Sequence, residues 1–385
     1  MRQRWIILAV LTFARTAMGF QFQSVAAVSL YFSDRFALSY AALGTLIGLY
    51  LFPGIAAALP GGVLAQRFGD KRIALLGLAV MTLGGALMAV ADNYTVLVAG
   101  RIVSGAGAVF LNVLVTKMVA DWFQGRDTAI AFGFLVISWP LGIALALIAL
   151  PALTTVTSWQ SAMMAPAAVS ALAFIMVAAI YRTPGGAPKQ QPGPFRFDLT
   201  SREFALATLA GGVWTFYNIG FIILLAFGPG FVVAAGYGAA AAGAIVSVAS
   251  WIMIPAVPVT AWLAARMGRI DPAMIASFIL AGAMIAVIAS VEPSIALFAL
   301  VGLLFAPPAG LIMTLPGEAV RAERGAIAMG IYFTCYYAGM GALPALAGYT
   351  RDLSGHTAAP LWFAVAMLMI ACLILLQFRR VQSRH

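Results

Sequence analysis

GGVLAQRFGDKR, residues 61–72, lies between two apolar runs, and TAWLAARMGRID, residues 260–271, lies between two others. Leu64-Ala65 corresponds to Leu263-Ala264, Arg67 to Arg266 and Gly69 to Gly268, each pair 199 positions apart. A second pair of loops behaves alike: RDTAIAFG at 126–133 and ERGAIAMG at 323–330 are offset by 197. The same loop devices at a near-constant offset mean that the chain is built twice. Two like halves in a membrane protein imply parallel repeats about an axis along the membrane normal, with a substrate site near the midplane at the repeat interface.

The composition supplies the membrane. Of 385 residues, 63% are hydrophobic and 9% charged, against about 25% charged in a soluble domain. The apolar runs are helix-length, about 20 residues each, and lack the alternation of an outer-membrane barrel. They predict an all-α membrane protein with twelve spans: 5–32, 40–64, 73–91, 95–118, 128–150 and 160–181, then 203–227, 237–263, 272–290, 294–316, 326–348 and 359–378. RTPGGAPKQQPGPFRFDLTSRE, with its four prolines, divides the sixth from the seventh. The expected organisation is a six-helix bundle over 1–182, a cytoplasmic linker over 183–202 and a second bundle over 203–385. The first run follows a basic start but is too long for a signal-peptide core, so it reads as a retained helix.

The net charge of +10 is an orientation signal. With the N-terminus in the cytoplasm, every Lys and Arg falls on cytoplasmic loops or tails except Arg35 and Arg351 outside and Arg15 and Arg101 within helices. This positive-inside bias places both termini in the cytoplasm. It accounts for the basicity without nucleic acid, and the location expected is a bacterial inner membrane or a plasma membrane. Cys335 and Cys372 sit inside apolar runs and form no metal-ligand spacing. No phosphate loop or nucleophile–base pair appears, so neither an enzyme nor a cofactor is expected.

The 61–72 loop resembles the signature between helices two and three of the major facilitator superfamily, G-x-L-A-D-R-x-G-R-K, through Gly62, Arg67, Gly69 and Arg72. Arg266 and Gly268 repeat it in the second half. RIVSGAGA at 101–108 is similar to the family's fourth-helix motif, R-x-x-x-G-x-G-x. The resemblance implies two six-helix bundles working by alternating access, with helices 1, 4, 7 and 10 lining a central cavity. It also implies that the loop residues form a conformational latch. The chain departs from the pattern at Gln66, where the family has Asp, and at the matching Ala265. The family aspartate is thought to lie against the N-terminal end of a neighbouring helix and to hold the outward-facing state. A carboxylate gains about 0.3–1 kcal/mol there. Gln66 brings no charge, so a weaker latch is expected unless Asp70 or another loop group replaces it.

The candidate site follows from a charge count. All twelve Asp and Glu residues fall in loops or at helix ends, which leaves Arg15 and Arg101 as fixed cations inside spans. A charge at the centre of a membrane helix costs about 2.5–3.5 kcal/mol on insertion scales. Arg15 lies ~15 Å into helix 1 from the inside and Arg101 ~10 Å into helix 4 from the outside. In a core ~30 Å thick their levels then differ by only ~5 Å. Two guanidiniums at one level call for an anion between them, and Arg forks suit carboxylate or phosphate oxygens. For Arg101 the family motif also allows a structural role. Helical spacing adds Asn112 on helix 4 and Gln23 on helix 1; the 199 offset adds Trp214, Tyr217 and Asn218, the last two as hydrogen-bonding groups. Tyr332 and Tyr336, four apart on helix 11, suit a cavity wall or interhelix packing. Pro140, Pro255, Pro258 and Pro307-Pro308 are expected to bend or break their helices.

The sequence thus supports a secondary transporter of a small organic or inorganic anion, acting as a monomer, with a co-transported or exchanged ion as a second partner. The alternatives are an efflux carrier for hydrophobic drugs or metabolites and a non-transporting sensor or partner subunit. The weak-latch reading predicts that Gln66→Asp raises the outward-facing population, measured by spin-label distances; an unmoved population refutes it.

Overall fold

The computed structural model describes residues 2–56, 67–123, 127–184, 199–321 and 324–383. Gly62 and Gln66 of the expected latch, and most of the linker, lie outside these residues. By packing, the chain divides into two compact units. Residues 1–37 and 49–193 form the first; residues 38–48 and 194–385 form the second. The division expected at the linker assigned all of 1–182 to the first bundle; in the structure a short segment, 38–48, packs with the second unit.

The first unit contains α1 (Arg2–Ala27), α2 (Ser29–Phe36), α4 (Asp70–Ala89), α5 (Tyr94–Trp122), α6 (Thr128–Val156) and α7 (Trp159–Ile180). Between α2 and α4 runs α3 (Tyr40–Leu49), whose residues 40–48 belong to the second unit. The second unit continues with α8 (Ser201–Ala234), α9 (Ala239–Arg266), α10 (Ile270–Ile288), α11 (Ile295–Leu311), α12 (Leu315–Ala319), α13 (Gly325–Ser354) and α14 (Ala359–Ser383). Among the described residues, ten helices are long and apolar enough to cross a membrane. Leu83, Val136, Ile175, Leu280 and Leu373 expose half or more of their surface, as side chains facing lipid do.

The packing scheme repeats. In the first unit α4 lies along α5 and α7, and α1 along α6 and α7. In the second, α10 lies along α11 and α14, and α8 along α13 and α14. These partners correspond helix for helix, so the loop repeat read from the sequence is also a repeat of packing. Polar side chains start several helices by accepting orphan N–H groups. Asn93 Oδ1 takes the Val96 N–H at 3.0 Å at the start of α5, and Ser158 Oγ takes that of Ser161 at the start of α7. Thr200 and Glu203 form a reciprocal capping box on α8.

Close crossings rest on small residues. A Cβ at Gly142 of α6 would overlap the Thr16 carbonyl of α1, and one at Gly84 of α4 would overlap the Ser104 main chain of α5. Apolar solvent gives helices no hydrophobic reason to associate, so packing at this range does much of the holding.

Three expectations differ from the structure. The first span ends at Ala27 rather than 32: Val28 leaves the helix at ψ 16°, and α2 restarts at Ser29. The second is interrupted after Leu49 by a turn that contains Pro53. Of the expected bending or breaking at proline, breaking does not occur: α6 runs on through Pro140, α9 through Pro255 and Pro258, and α11 through Pro307-Pro308. Only after Leu311 does the chain tighten into a 3₁₀ turn, Ile312–Thr314.

The Gly142 crossing generates a stability prediction. Gly142→Val forces α6 off the α1 main chain and is expected to cost about 1–3 kcal/mol, read as a lower melting temperature in detergent. Gly133→Val, where a Cβ meets nothing within 4 Å, is the control and is expected to leave it unchanged.

Candidate functional site

Arg101 is fully buried. Its Nη1 donates to the Gln21 carbonyl at 2.8 Å and its Nη2 to the Phe22 carbonyl at 2.5 Å. Each carbonyl has a second lone pair beyond its helical bond, so α1 can accept both bonds without unwinding. The Tyr50 ring lies under the guanidinium at 4.5 Å and the Phe22 ring at 5.9 Å. The Tyr50 hydroxyl reaches the Met18 carbonyl at 3.3 Å and Gln21 Oε1 at 3.4 Å. Gly105, one turn after Arg101, lets the Tyr50 main chain approach α5, since a Cβ there would overlap it. The spacing R-x-x-x-G therefore has a physical reading: the Arg staples α5 to α1, and the Gly admits the residue that backs the staple.

Arg15 is half-buried in the same unit. Its Nε donates to Asn112 Oδ1 at 3.3 Å and its Nη1 to the Leu135 carbonyl of α6. These two partners are neutral and orient the guanidinium. Asn112, grouped with Arg101 in the sequence reading, serves Arg15 instead. The two arginines are also farther apart in level than expected. Arg101 meets α1 at Gln21 and Phe22, six to seven residues beyond Arg15, which is ~10 Å of helix rise rather than ~5 Å. Gln23 is buried, 1% exposed.

In the second unit the expected aromatic face exists. Trp214 stacks on Tyr217 at 5.8 Å and on Tyr332 at 6.1 Å, and Tyr336 lies tilted at 6.1 Å. Two of the hydroxyls expected to meet a ligand are engaged elsewhere. Tyr217 donates to the Phe305 carbonyl at 2.7 Å, and Tyr332 approaches Met313 Sδ at 3.3 Å. Asn218 donates back to the Trp214 carbonyl at 2.8 Å. Trp214 Nε1 is buried with no hydrogen-bond partner among the described residues.

Of the latch residues, Gly69 and Gly268 have φ of +91° and +62°. Both repeats therefore place glycine where the backbone turns left-handed, at little steric cost. Arg67 lies over the Phe68 ring at 5.4 Å and Arg266 over Trp262 at 5.2 Å. Arg72 is exposed. Asp70, the alternative latch group, pairs with Lys117 of α5, which also meets Asp121 at 3.2 Å.

That last cluster escaped the sequence reading, and it has a counterpart. Arg379 of α14 pairs with Asp271 at 2.6 Å and Glu318 at 2.5 Å. Asp121 and Glu318 are 197 apart, the offset of the second repeated loop. That pair of acids was therefore visible as a repeat, whereas Asp70 and Asp271, 201 apart, were not. The cations were not, because one unit draws its cation from α5 and the other from α14.

The sequence pattern of the Major Facilitator Superfamily matches residues 8–344. The fold is similar to a bacterial homologue of the human lysosomal transporter Spinster, with TM-score 0.79 and 15% identity, covering 98% of this chain and 97% of that one. It is also similar to a mutant of the nucleoside transporter NupG, with TM-score 0.78 and 14% identity, covering 98% and 99%. Among curated relatives, the methylenomycin A resistance protein of Bacillus subtilis is 30% identical over 40% of this chain and 33% of its own length. The probable L-galactonate transporter of Escherichia coli is 27% identical over 36% and 30%. The choline/ethanolamine transporter FLVCR2 of Rattus norvegicus is 24% identical over 58% and 43%. The chain thus spans less than half the length of each of these curated relatives. The match over most of its own length, together with the repeated helical units, identifies the chain as an integral, multi-pass membrane protein that belongs to the major facilitator superfamily.

Proposed function

We propose that this transporter moves a small anion, organic or inorganic, by alternating access, and that it does so through twelve spans with both termini in the cytoplasm. The observation that carries the reading is Arg15, held part-way along α1 by an amide oxygen and a main-chain carbonyl. A guanidinium part-way along a membrane helix offers carboxylate oxygens a fork. The positions of the acids support this, since Asp70, Asp121, Asp127, Glu203, Asp271 and Glu318 all lie at helix ends. A relative named for galactonate, a carboxylate, fits the same class.

In this proposal Arg15 binds the anionic group with Asn112 beside it, and Gln23 contributes about two turns further along α1. Arg101 positions α1 rather than touching substrate. In the second unit Trp214, Tyr217, Asn218, Tyr332 and Tyr336 shape selectivity. The glycines and arginines of the two repeated loops set the balance between states, as the family latch would. The drug-efflux reading is favoured by one observation, the stacked aromatic set around Trp214, and by a relative named for antibiotic resistance.

Proteoliposomes separate the two. With labelled galactonate and a panel of small carboxylates as probes, saturable flux is expected. Arg15→Ala should lower it about 100-fold, in keeping with losing a charge-assisted fork of several kcal/mol. Arg15→Lys should retain part of it, whereas Arg101→Lys should lower the melting temperature by removing a bidentate staple. Dye efflux indifferent to Arg15→Ala, with no saturable anion flux, overturns the anion reading and leaves the efflux carrier.

A further inference from the structure

The surroundings of Arg15 hold more hydrogen-bond donors than acceptors. The Leu135 carbonyl of α6 takes Arg15 Nη1 and also the Ser138 hydroxyl, the latter at 2.5 Å. Because α6 is continuous through these residues, its helical ladder aims the Trp139 N–H at the same oxygen. A carbonyl oxygen has two lone pairs, so three donors converge on an atom that serves two. The Thr12 hydroxyl shows the other side of the imbalance. Thr12 lies three residues before Arg15 on α1, on the same helix face. Its hydroxyl is buried and has no hydrogen-bond partner among the described residues. Thr16, by contrast, donates back to the Thr12 carbonyl at 2.9 Å.

The helices are poorly placed to relieve the crowding themselves. A Cβ on Gly142 of α6 would overlap the Thr16 carbonyl of α1, and one on Gly19 of α1 would overlap the Trp139 carbonyl of α6. Parting α1 from α6 would forfeit this close packing, which does much of the holding between helices in lipid. Moving the Arg15 side chain gives up one of the three donors on Leu135 and leaves the crossing intact.

An anion corrects both faults at once, because an ionised carboxylate only accepts hydrogen bonds. We propose that substrate binds by hydrogen-bond exchange: Arg15 Nη1 leaves the Leu135 carbonyl for the anion, the Thr12 hydroxyl donates to the same anion, and the Ser138 hydroxyl with the Trp139 N–H keeps the carbonyl satisfied. Thr12 is then a second ligand of the anionic group. Ser138 is a positioning residue that acts on Arg15 through Leu135. The exchange rests on the anion reading of Arg15 and adds a requirement to it. Two donors on separate side chains ask for two acceptor oxygens on one anionic group, as a carboxylate has and a halide has not.

The test uses the full chain in proteoliposomes with labelled galactonate and the panel of small carboxylates. Thr12→Val keeps the side-chain shape without the hydroxyl. It should raise KM about tenfold with the maximal rate little changed, the scale of a lost hydrogen bond to a charged group. Thr12→Ser should restore KM. Ser138→Ala should raise KM about threefold, because Arg15 then leaves a carbonyl with one donor fewer, and Ser138→Thr should restore it. Melting temperatures without carboxylate should match the unaltered chain, while the stabilisation by added carboxylate should fall in Thr12→Val. If no carboxylate of the panel gives saturable flux in the unaltered chain, the anion reading fails and the exchange fails with it. If flux saturates and collapses in Arg15→Ala, but Thr12→Val or Ser138→Ala leaves KM unchanged, the anion reading stands and the exchange is overturned. A rise in KM that comes only with a lower melting temperature marks a packing role and overturns it too.

Discussion

Nothing in the hydrocarbon of a bilayer accepts a hydrogen bond, so each buried polar group must find its partner inside the protein. Arg101 shows what this demands. A wholly buried guanidinium is met by two carbonyls and two aromatic faces. The arrangement turns a costly charge into a fastening between α1 and α5.

Arg15 answers the same demand differently. Its partners include the Asn112 amide of α5 and the Leu135 carbonyl of α6. Arg101 is enclosed by its partners, whereas Arg15 stays half-buried. Two arginines inside helices of the same unit thus differ in how far their neighbours enclose them.

At the helix ends the same constraint relaxes, and charges pair freely. Asp70 with Lys117 and Asp271 with Arg379 perform equivalent fastening in the two units. Exposed pairs contribute about 0–1 kcal/mol each, so their role is to set register at the ends of helices already held by packing. At the opposite end of α13, Asp352 uses its charge on main-chain N–H groups. It thereby acts on a helix terminus, where a carboxylate gains from the helix dipole.

Composition, run length and the repeated loops determined by themselves that this is a helical membrane protein built twice, because lipid tolerates few folds and a repeat survives in local turn chemistry. Gly69 and Gly268 are the clearest case: their positive φ is a property of the chain at that point. Run length overstated the first two spans, since apolar residues such as Val28 and Leu51 suit a buried break as well as a helix. Proline overstated the interruptions, since neighbouring groups in a membrane helix can absorb the lost bond. Which arginine is enclosed, which tyrosine hydroxyls are already engaged, which helix lends each charge cluster its cation, and that residues 38–48 pack with the other half were decided only by tertiary structure. Each depends on which helices come side by side, and distances between segments a hundred or more residues apart leave no periodic trace in the chain.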